Sequence, residues 1–320
     1  TFDGIFAVQT IGVDGETDSS GVSPRLLARY DLTDDVMLNA QVSKGFRLGG
    51  INDPLNAPLC NAQDLATYSG NPDFDDETII NYEVGSKMTI FNGAGSFNIS
   101  AFYSEIKDLQ VTQNIDSCSS RIILNVDDAH SQGVEMELSV RPSANLEVSI
   151  AASYNDAELD SDLRDSSGGI IGGFSDGNEL PTAPDYSIAL ASTYYFEISD
   201  SWEGYVSGSF HSVGARYTQI GDQLSSAGNI DLTNPPNNAR RQVGNSNLNT
   251  IVYDSELDNY QTVNLRIGGR TASIDLALFI NNVTNEIAQQ SLDTERGGTA
   301  RVGYRVSQPR TAGITARYDF

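Results

Sequence analysis

The chain has 320 residues, of which 43 are Asp or Glu and 19 are Lys or Arg, giving a net charge of −24. That balance excludes a nucleic-acid-binding surface, which needs clustered basic charge. With 39% hydrophobic residues, 14 Tyr and 12 Phe, disorder is excluded as well, and no apolar run approaches the roughly 20 residues of a membrane helix.

About twelve segments alternate apolar and polar residues with period two, the spacing that gives a strand one apolar face. In chain order they lie near 1–11, 22–32, 35–47, 77–92, 95–112, 121–142, 145–158, 183–197, 201–218, 257–268, 272–282 and 309–320. Val36, Leu38, Ala40 and Val42 alternate with Met37, Asn39, Gln41 and Ser43. Val134, Met136, Leu138 and Val140 alternate with Glu135, Glu137 and Ser139. The strictest case sets Leu146, Val148, Ile150, Ala152 and Tyr154 against Glu147, Ser149, Ala151 and Ser153. Val263, Leu265 and Ile267 repeat the pattern, as do Ala272 to Ile280 and Ile314 to Phe320. No helical period competes with it.

Tight turns are expected at Thr33-Asp34, Asn92-Gly93-Ala94, Pro142-Ser143-Ala144, Ser199-Asp200 and Gly269-Arg270. They alternate with long polar connections at 48–76, 113–120, 159–182, 219–256 and 283–308. A β-sandwich has no reason to put every long connection at one end, whereas an up-and-down transmembrane barrel does. The apolar parity carries Tyr30, Tyr82, Tyr154, Tyr186, Phe196, Trp202, Tyr318 and Phe320 near strand ends, where interfacial rings are expected. The opposite parity carries Arg25, Arg29, Glu83, Lys87, Glu135, Glu137, Glu147, Arg266, Asp275 and Arg317, which suit a wet lumen. The predicted fold is all-β: an antiparallel up-and-down transmembrane β-barrel segment of about twelve strands, with short periplasmic turns and long extracellular loops.

Several segments resemble one family. SPRLLARYDLTDDVMLNAQVSKGFRLGGIN (Ser23 to Asn52) and ETIINYEVGSKMTIFNGAGSFNISAFYSEIKDLQV (Glu77 to Val111) are similar to the mid-barrel signature of TonB-dependent outer-membrane receptors. SQGVEMELSVRP (Ser131 to Pro142) resembles that family's next strand, FINNVTNE (Phe279 to Glu286) its penultimate strand end, and TARYDF (Thr315 to Phe320) its closing strand. The resemblance implies energised import of a scarce ligand, such as a ferric siderophore, across the bacterial outer membrane. A plug domain would fill a barrel of about 22 strands, and the TonB complex would pull on that plug. Residues 1–320 would then form a single C-terminal barrel segment, with the plug domain and the N-terminal barrel strands outside it. The alternatives are a passive porin and a structural or adhesive barrel.

The resemblance also implies that Glu83 in NYE and Glu135 in GVE receive basic residues of the plug, through charge-assisted hydrogen bonds. The rival reading makes them ordinary lumenal charges balanced by neighbours such as Lys87. Arg47, at the junction of a strand and an outside loop, is a candidate for substrate contact or for a structural anchor. Cys60 and Cys118 fall in successive outside loops, where an oxidising envelope permits a disulfide. Acidic clusters at Asp73, Asp75 and Asp76 and at Asp160, Asp162 and Asp165 lack the spacing of a calcium loop and read as solvated faces. His130 and His211 stand far apart without ligand-spaced partners, so no metal site or cofactor is expected. No enzymatic fingerprint is present. Asn282-Val283-Thr284 has the form of a glycosylation sequon, discounted for a bacterial envelope protein. Arg240 and Arg241 would offset the acidity of the loops toward an anionic ligand.

Overall fold

The computed structural model describes residues 17, 19–58, 60–115, 118, 120–225, 227–231, 250–294 and 302–320. Eleven of the predicted strands form one antiparallel sheet: β1 (Arg25–Thr33), β2 (Val36–Arg47), β3 (Glu77–Ile90), β4 (Gly95–Ile115), β5 (Ser120–Ser143), β6 (Leu146–Leu159), β7 (Tyr186–Ser199), β8 (Trp202–Val213), β9 (Tyr260–Arg270), β10 (Ile274–Asn281) and β11 (Thr311–Tyr318). Each strand pairs with its neighbours in sequence, with no crossover, and β1 and β11 are the two edges. Among the described residues the sheet is therefore open. The strand expected near 1–11 lies outside the described residues, as do Arg240 and Arg241.

Register fixes which side chains share a face. Val42, Tyr82, Tyr103, Gln132 and Asp156 form one row across β2 to β6, while Gln41, Glu83, Phe102, Gly133 and Asn155 form the neighbouring row on the opposite face. The first face carries Val84, Val134, Ile188, Leu190, Tyr194, Leu265, Ile267, Leu276, Leu278 and Ile314, all of them exposed. A row of exposed aliphatics this broad needs an apolar solvent. Tyr186 and Phe196 lie on that face of β7, ten residues apart. At about 3.3 Å per residue and a tilt of about 40°, that span projects to about 25 Å, the height of the apolar band of a membrane barrel. Beyond Tyr82, Tyr103 and Tyr154 the same face changes to Glu105, Lys107, Asp128, His130, Asp156 and Glu158. The row of tyrosines marks the outer edge of the bilayer.

The buried apolar core lies above that edge. Ile106, Val111, Ile115, Ile122, Leu124, Val126 and Leu159 from the projecting ends of β4, β5 and β6 pack with Tyr68, Ile171, Phe174 and Ile220 from the loops. The outer ends of the strands thus carry a packed cap, whereas the membrane-spanning part buries its apolar side in lipid.

The structure departs from the predicted connections in several places. The segment 113–120 is no long loop: β4 and β5 stay paired as far as Ile115 and Ser120. Gly269 and Arg270 are not the turn, because Arg270 still pairs with Glu203 and Asp275 across the sheet. The chain reverses after Arg270, where the Thr271 hydroxyl accepts from the amides of Ser273 and Ile274 at 3.3 and 3.0 Å. A short helix, Ala62–Tyr68, interrupts the loop 48–76 and is capped by Asn61, whose Oδ1 accepts from the Asp64 amide at 2.7 Å. Two-residue strands at 50–51 and 73–74 pair beneath it. Further loop pairs join 216–217 to 256–257, 229–231 to 250–252, and 289–294 to 302–306.

Candidate functional site: the lumenal wall and its outer mouth

The polar face of the sheet divides into two sectors with different charge balance. In the sector from β5 to β11 most of the lumenal charges are paired; among the described residues Glu197 has no partner and Glu137 accepts only from the Asn98 side chain, at 3.5 Å. Arg141 ion-pairs with Glu147, and Glu147 accepts weakly from the Tyr195 hydroxyl at 3.4 Å. The Arg270 guanidinium lies 5.1 Å from the centre of the Tyr195 ring and pairs with Glu203 at 2.6 Å. Farther along, Tyr205 donates to Asp275 at 2.8 Å, and Arg266 donates to the Tyr205 and Thr315 hydroxyls at 3.1 and 2.7 Å.

The sector from β3 to β5 is different. Glu83 sits in one row with Phe102 and Gly133, and Glu135 lies two residues lower on β5 in the row of Ser100 and Gly85. With strands about 4.8 Å apart and a rise of about 3.3 Å per residue, their Cα atoms lie about 12 Å apart. Among the described residues neither carboxylate has a hydrogen-bond or ion-pair partner, and Lys87 pairs with neither. Gly133 of the GVE motif keeps this wall flat: a Cβ there would fall 2.9 Å from the Phe102 ring and 2.2 Å from the Tyr154 carbonyl oxygen.

Arg47 stands at the outer rim. It ion-pairs with Glu77 and donates to the Gln110 carbonyl at 3.0 Å, while Glu77 accepts from the Gln110 amide at 2.8 Å. The Gln110 side chain donates in turn to the Leu48 and Asp75 carbonyls at 2.9 and 3.0 Å. Arg47 thereby ties the outer ends of β2, β3 and β4. Cys60 and Cys118 are joined by a disulfide, which links the loop 48–76 to the tip of the β4–β5 hairpin.

Two anchors were not singled out from sequence. Asn52 is buried and pairs with Ile123 like a strand neighbour, donating to its carbonyl at 2.8 Å and accepting from its amide at 2.7 Å. Asn282, in FINNVTNE, has φ +52 and is 5% exposed. Its amide donates to the carbonyls of Glu286 and Gln308 at 2.8 and 3.0 Å, and its Oδ1 accepts from the Glu286 amide at 2.8 Å. These bonds use the side chain of the sequon asparagine in holding a loop.

Four of the six clustered aspartates, Asp76, Asp160, Asp162 and Asp165, spend carboxylate oxygens on protein donors. Asp76 accepts from the Gly49 amide and the Ser19 hydroxyl, which hold its carboxyl below the ordinary value. Asp165 accepts from Ser167 and from the Gly169 amide, and is lowered in the same way. Asp162 accepts from the Asp176 amide and pairs with Arg164. Burial instead pushes Asp222 and Glu179 up, both of them in the loop cap. His130 pairs with Asp160 at 2.8 Å, and His211 lies edge-on to Tyr260 with ring centres 6.2 Å apart.

An antiparallel wall with one lipid face between two aromatic rows, one polar lumenal face, tight turns at one end and a loop cap at the other defines an outer-membrane β-barrel of bacteria. Residues 3–271 match the family described as TonB dependent receptor-like, β-barrel, and the chain belongs to that family. The family is one of transporters, not enzymes. Similar folds occur in the ferric yersiniabactin uptake receptor FyuA from Yersinia pestis (TM-score 0.64, 18% identity, 92% of this chain and 37% of that one). The ferric preacinetobactin receptor BauA from Acinetobacter baumannii is also similar (TM-score 0.60, 15% identity, 93% and 36%). So is the copper transporter OprC (TM-score 0.60, 13% identity, 93% and 39%). The chain spans little more than a third of the length of each.

Proposed function

We propose that the chain is the C-terminal part of the barrel wall of an active importer, which takes up a scarce metal chelate of the ferric-siderophore class across the outer membrane. The observation that carries this reading is the pair Glu83 and Glu135. Among the described residues they are two lumenal carboxylates without hydrogen-bond or ion-pair partners, at the NYE and GVE positions where the family resemblance implies contacts to a plug. Leaving carboxylates unpaired inside a crowded lumen is costly, so they call for cations from a body that fills the lumen. A plug domain carrying Arg or Lys at matching positions supplies them, and its displacement through the TonB complex opens the path. The names of the similar receptors, two for ferric chelates and one for copper, favour a metal-bearing ligand.

A passive porin and an adhesive barrel make different demands. Neither needs an energy source. The test is uptake of an iron chelate by cells producing the full-length protein, measured before and after a protonophore collapses the proton gradient. Import that stops with the gradient supports the reading; import that continues at the same rate overturns it.

A further inference from the structure

On β1 to β4 the lipid face is recessed. Ala28, Ala40 and Ala101 form the floor of an apolar groove of about 470 Å³, and Leu26, Tyr82 and Tyr103 stand along its outer side. Tyr82 and Tyr103 are 44% and 42% exposed, so their rings are open to the bilayer. Both belong to the tyrosine row at the outer edge of the bilayer, and the groove lies immediately below that row.

One row farther out on the same face, Lys44, Ile80 and Glu105 are register partners. Two strand spacings of about 4.8 Å put the Cα atoms of Lys44 and Glu105 about 10 Å apart. Lys44 is exposed, and among the described residues it has neither a hydrogen-bond nor an ion-pair partner. Glu105 shares its cation: the Lys107 ammonium lies 3.2 Å from Glu105 and also pairs with Asp128. One cation between two carboxylates leaves one negative charge over. The level just outside the tyrosines thus presents an unpaired cation and a net anion side by side, above an apolar groove.

We propose that this rim binds a zwitterionic aminophospholipid in the outer leaflet. Lys44 takes the phosphate, with its stem along the apolar face, and the Tyr82 hydroxyl donates to the same group. The headgroup ammonium lies against Glu105, and one acyl chain runs over Ala40 and Ala101 into the bilayer. Charge decides between lipid classes. A lipid with several phosphates meets Asp128, Asp156 and Glu158 on the neighbouring strands, which repel it. A phospholipid with a phosphate alone satisfies Lys44 and leaves Glu105 unmatched, whereas a zwitterion satisfies both. The site is on the outside of the barrel wall, so it stands apart from the import reading.

The test uses the full-length protein, purified from outer membranes and stripped of lipid in detergent, with bound lipid counted by native mass spectrometry. Phosphatidylethanolamine and phosphatidylglycerol with the same acyl chains are the probes. A charge contact near a membrane surface is worth about fivefold in affinity. Phosphatidylethanolamine is therefore expected to bind about fivefold more tightly than phosphatidylglycerol. Lys44→Gln should weaken both lipids by about the same factor, and Glu105→Gln should bring phosphatidylethanolamine down to the level of phosphatidylglycerol. Ala40→Phe fills the groove and should weaken both lipids without changing their ratio. The three substitutions lie on the outer surface, and mobility on unheated gels shows that each variant is folded. Equal or tighter binding of phosphatidylglycerol, no binding of either lipid, undiminished binding by Lys44→Gln or Ala40→Phe, or displacement of phosphatidylethanolamine by equimolar lipid A would overturn the proposal. None of these results bears on gradient-dependent uptake.

Discussion

The sharpest consequence of a core placed above the membrane is that truncating it loosens the mouth and spares the barrel. Leu159 closes β6, is 0% exposed and belongs to the core with Val126, Ile171 and Phe174. Its backbone holds the next loop on both sides, donating to the Asn178 carbonyl at 2.9 Å and accepting from the Gly177 amide at 2.8 Å. Leu159→Ala removes buried methyl groups and leaves a cavity, a change that costs about 3 kcal/mol within the usual range of 2–5. At about 1.4 kcal/mol per decade, amides that exchange through opening of the cap should exchange about a hundredfold faster. The reporters are the amides of Leu163, Ile171 and Phe174, bonded within the loop 160–185, and of Gly177, bonded to the Leu159 carbonyl. The control is Leu190→Ala on β7, whose side chain faces lipid and is 39% exposed. Hydrogen exchange followed by mass spectrometry on protein in detergent or native membrane reads both variants. If Leu159→Ala changes those rates less than threefold, or Leu190→Ala changes them as much, the location of the core is wrong.

On the lipid face of β6, Ile150→Arg should cost about 2–4 kcal/mol at mid-membrane, while Ser149→Arg on the lumenal face should cost close to nothing; the folded fraction on unheated gels separates them. Replacing Cys60 and Cys118 by Ser removes a link across a sequence separation of 58, worth about 4 kcal/mol in the chain-entropy picture. Protease added to intact cells should then cut within 53–72 at least tenfold faster, with the barrel itself left intact. Asp76 has its folded-state pKa below the ordinary value of 3.8. Its contribution is therefore complete above that value and lost as pH falls through the depressed one. The Gly49 amide should lose protection only on strong acidification in the native protein, and already at neutral pH in Asp76→Asn. Asp222 and Glu179 are displaced the other way by burial, so the loops they occupy should tighten as pH falls through their raised values, read by the same exchange experiment.

The strands were legible because lipid on one side and water on the other impose period two on every residue between the aromatic rows. Leu146 to Tyr154 shows it residue by residue, and its register with β5 and β7 follows the same parity. The loop cap was not legible. Its apolar members, Ile171, Phe174 and Ile220, carry no period because irregular segments bring them together. The helix Ala62–Tyr68 has only two turns, too short for a 3.6 pattern to show. Strand length also misled at the outer end: polar Gln113 and Asn114 suggest a loop, yet they remain paired with Ile122 and Arg121 because the hairpin projects beyond the membrane. Arg47 was legible as a rim residue from its place at a strand end, but its partners Glu77 and Gln110 are 30 and 63 residues away and left no local signal. That Glu83 and Glu135 have no partner among the described residues could come only from knowing what surrounds them.

The central claim is that one parity of this sheet faces lipid and the other faces the lumen. Single cysteines at each position from 147 to 154, labelled with a fluorophore in native outer membranes, test it directly. Quenching by brominated lipid is predicted at 148, 150, 152 and 154, and quenching by a water-soluble agent at 147, 149, 151 and 153. Uniform quenching of both sets by either agent would contradict the account.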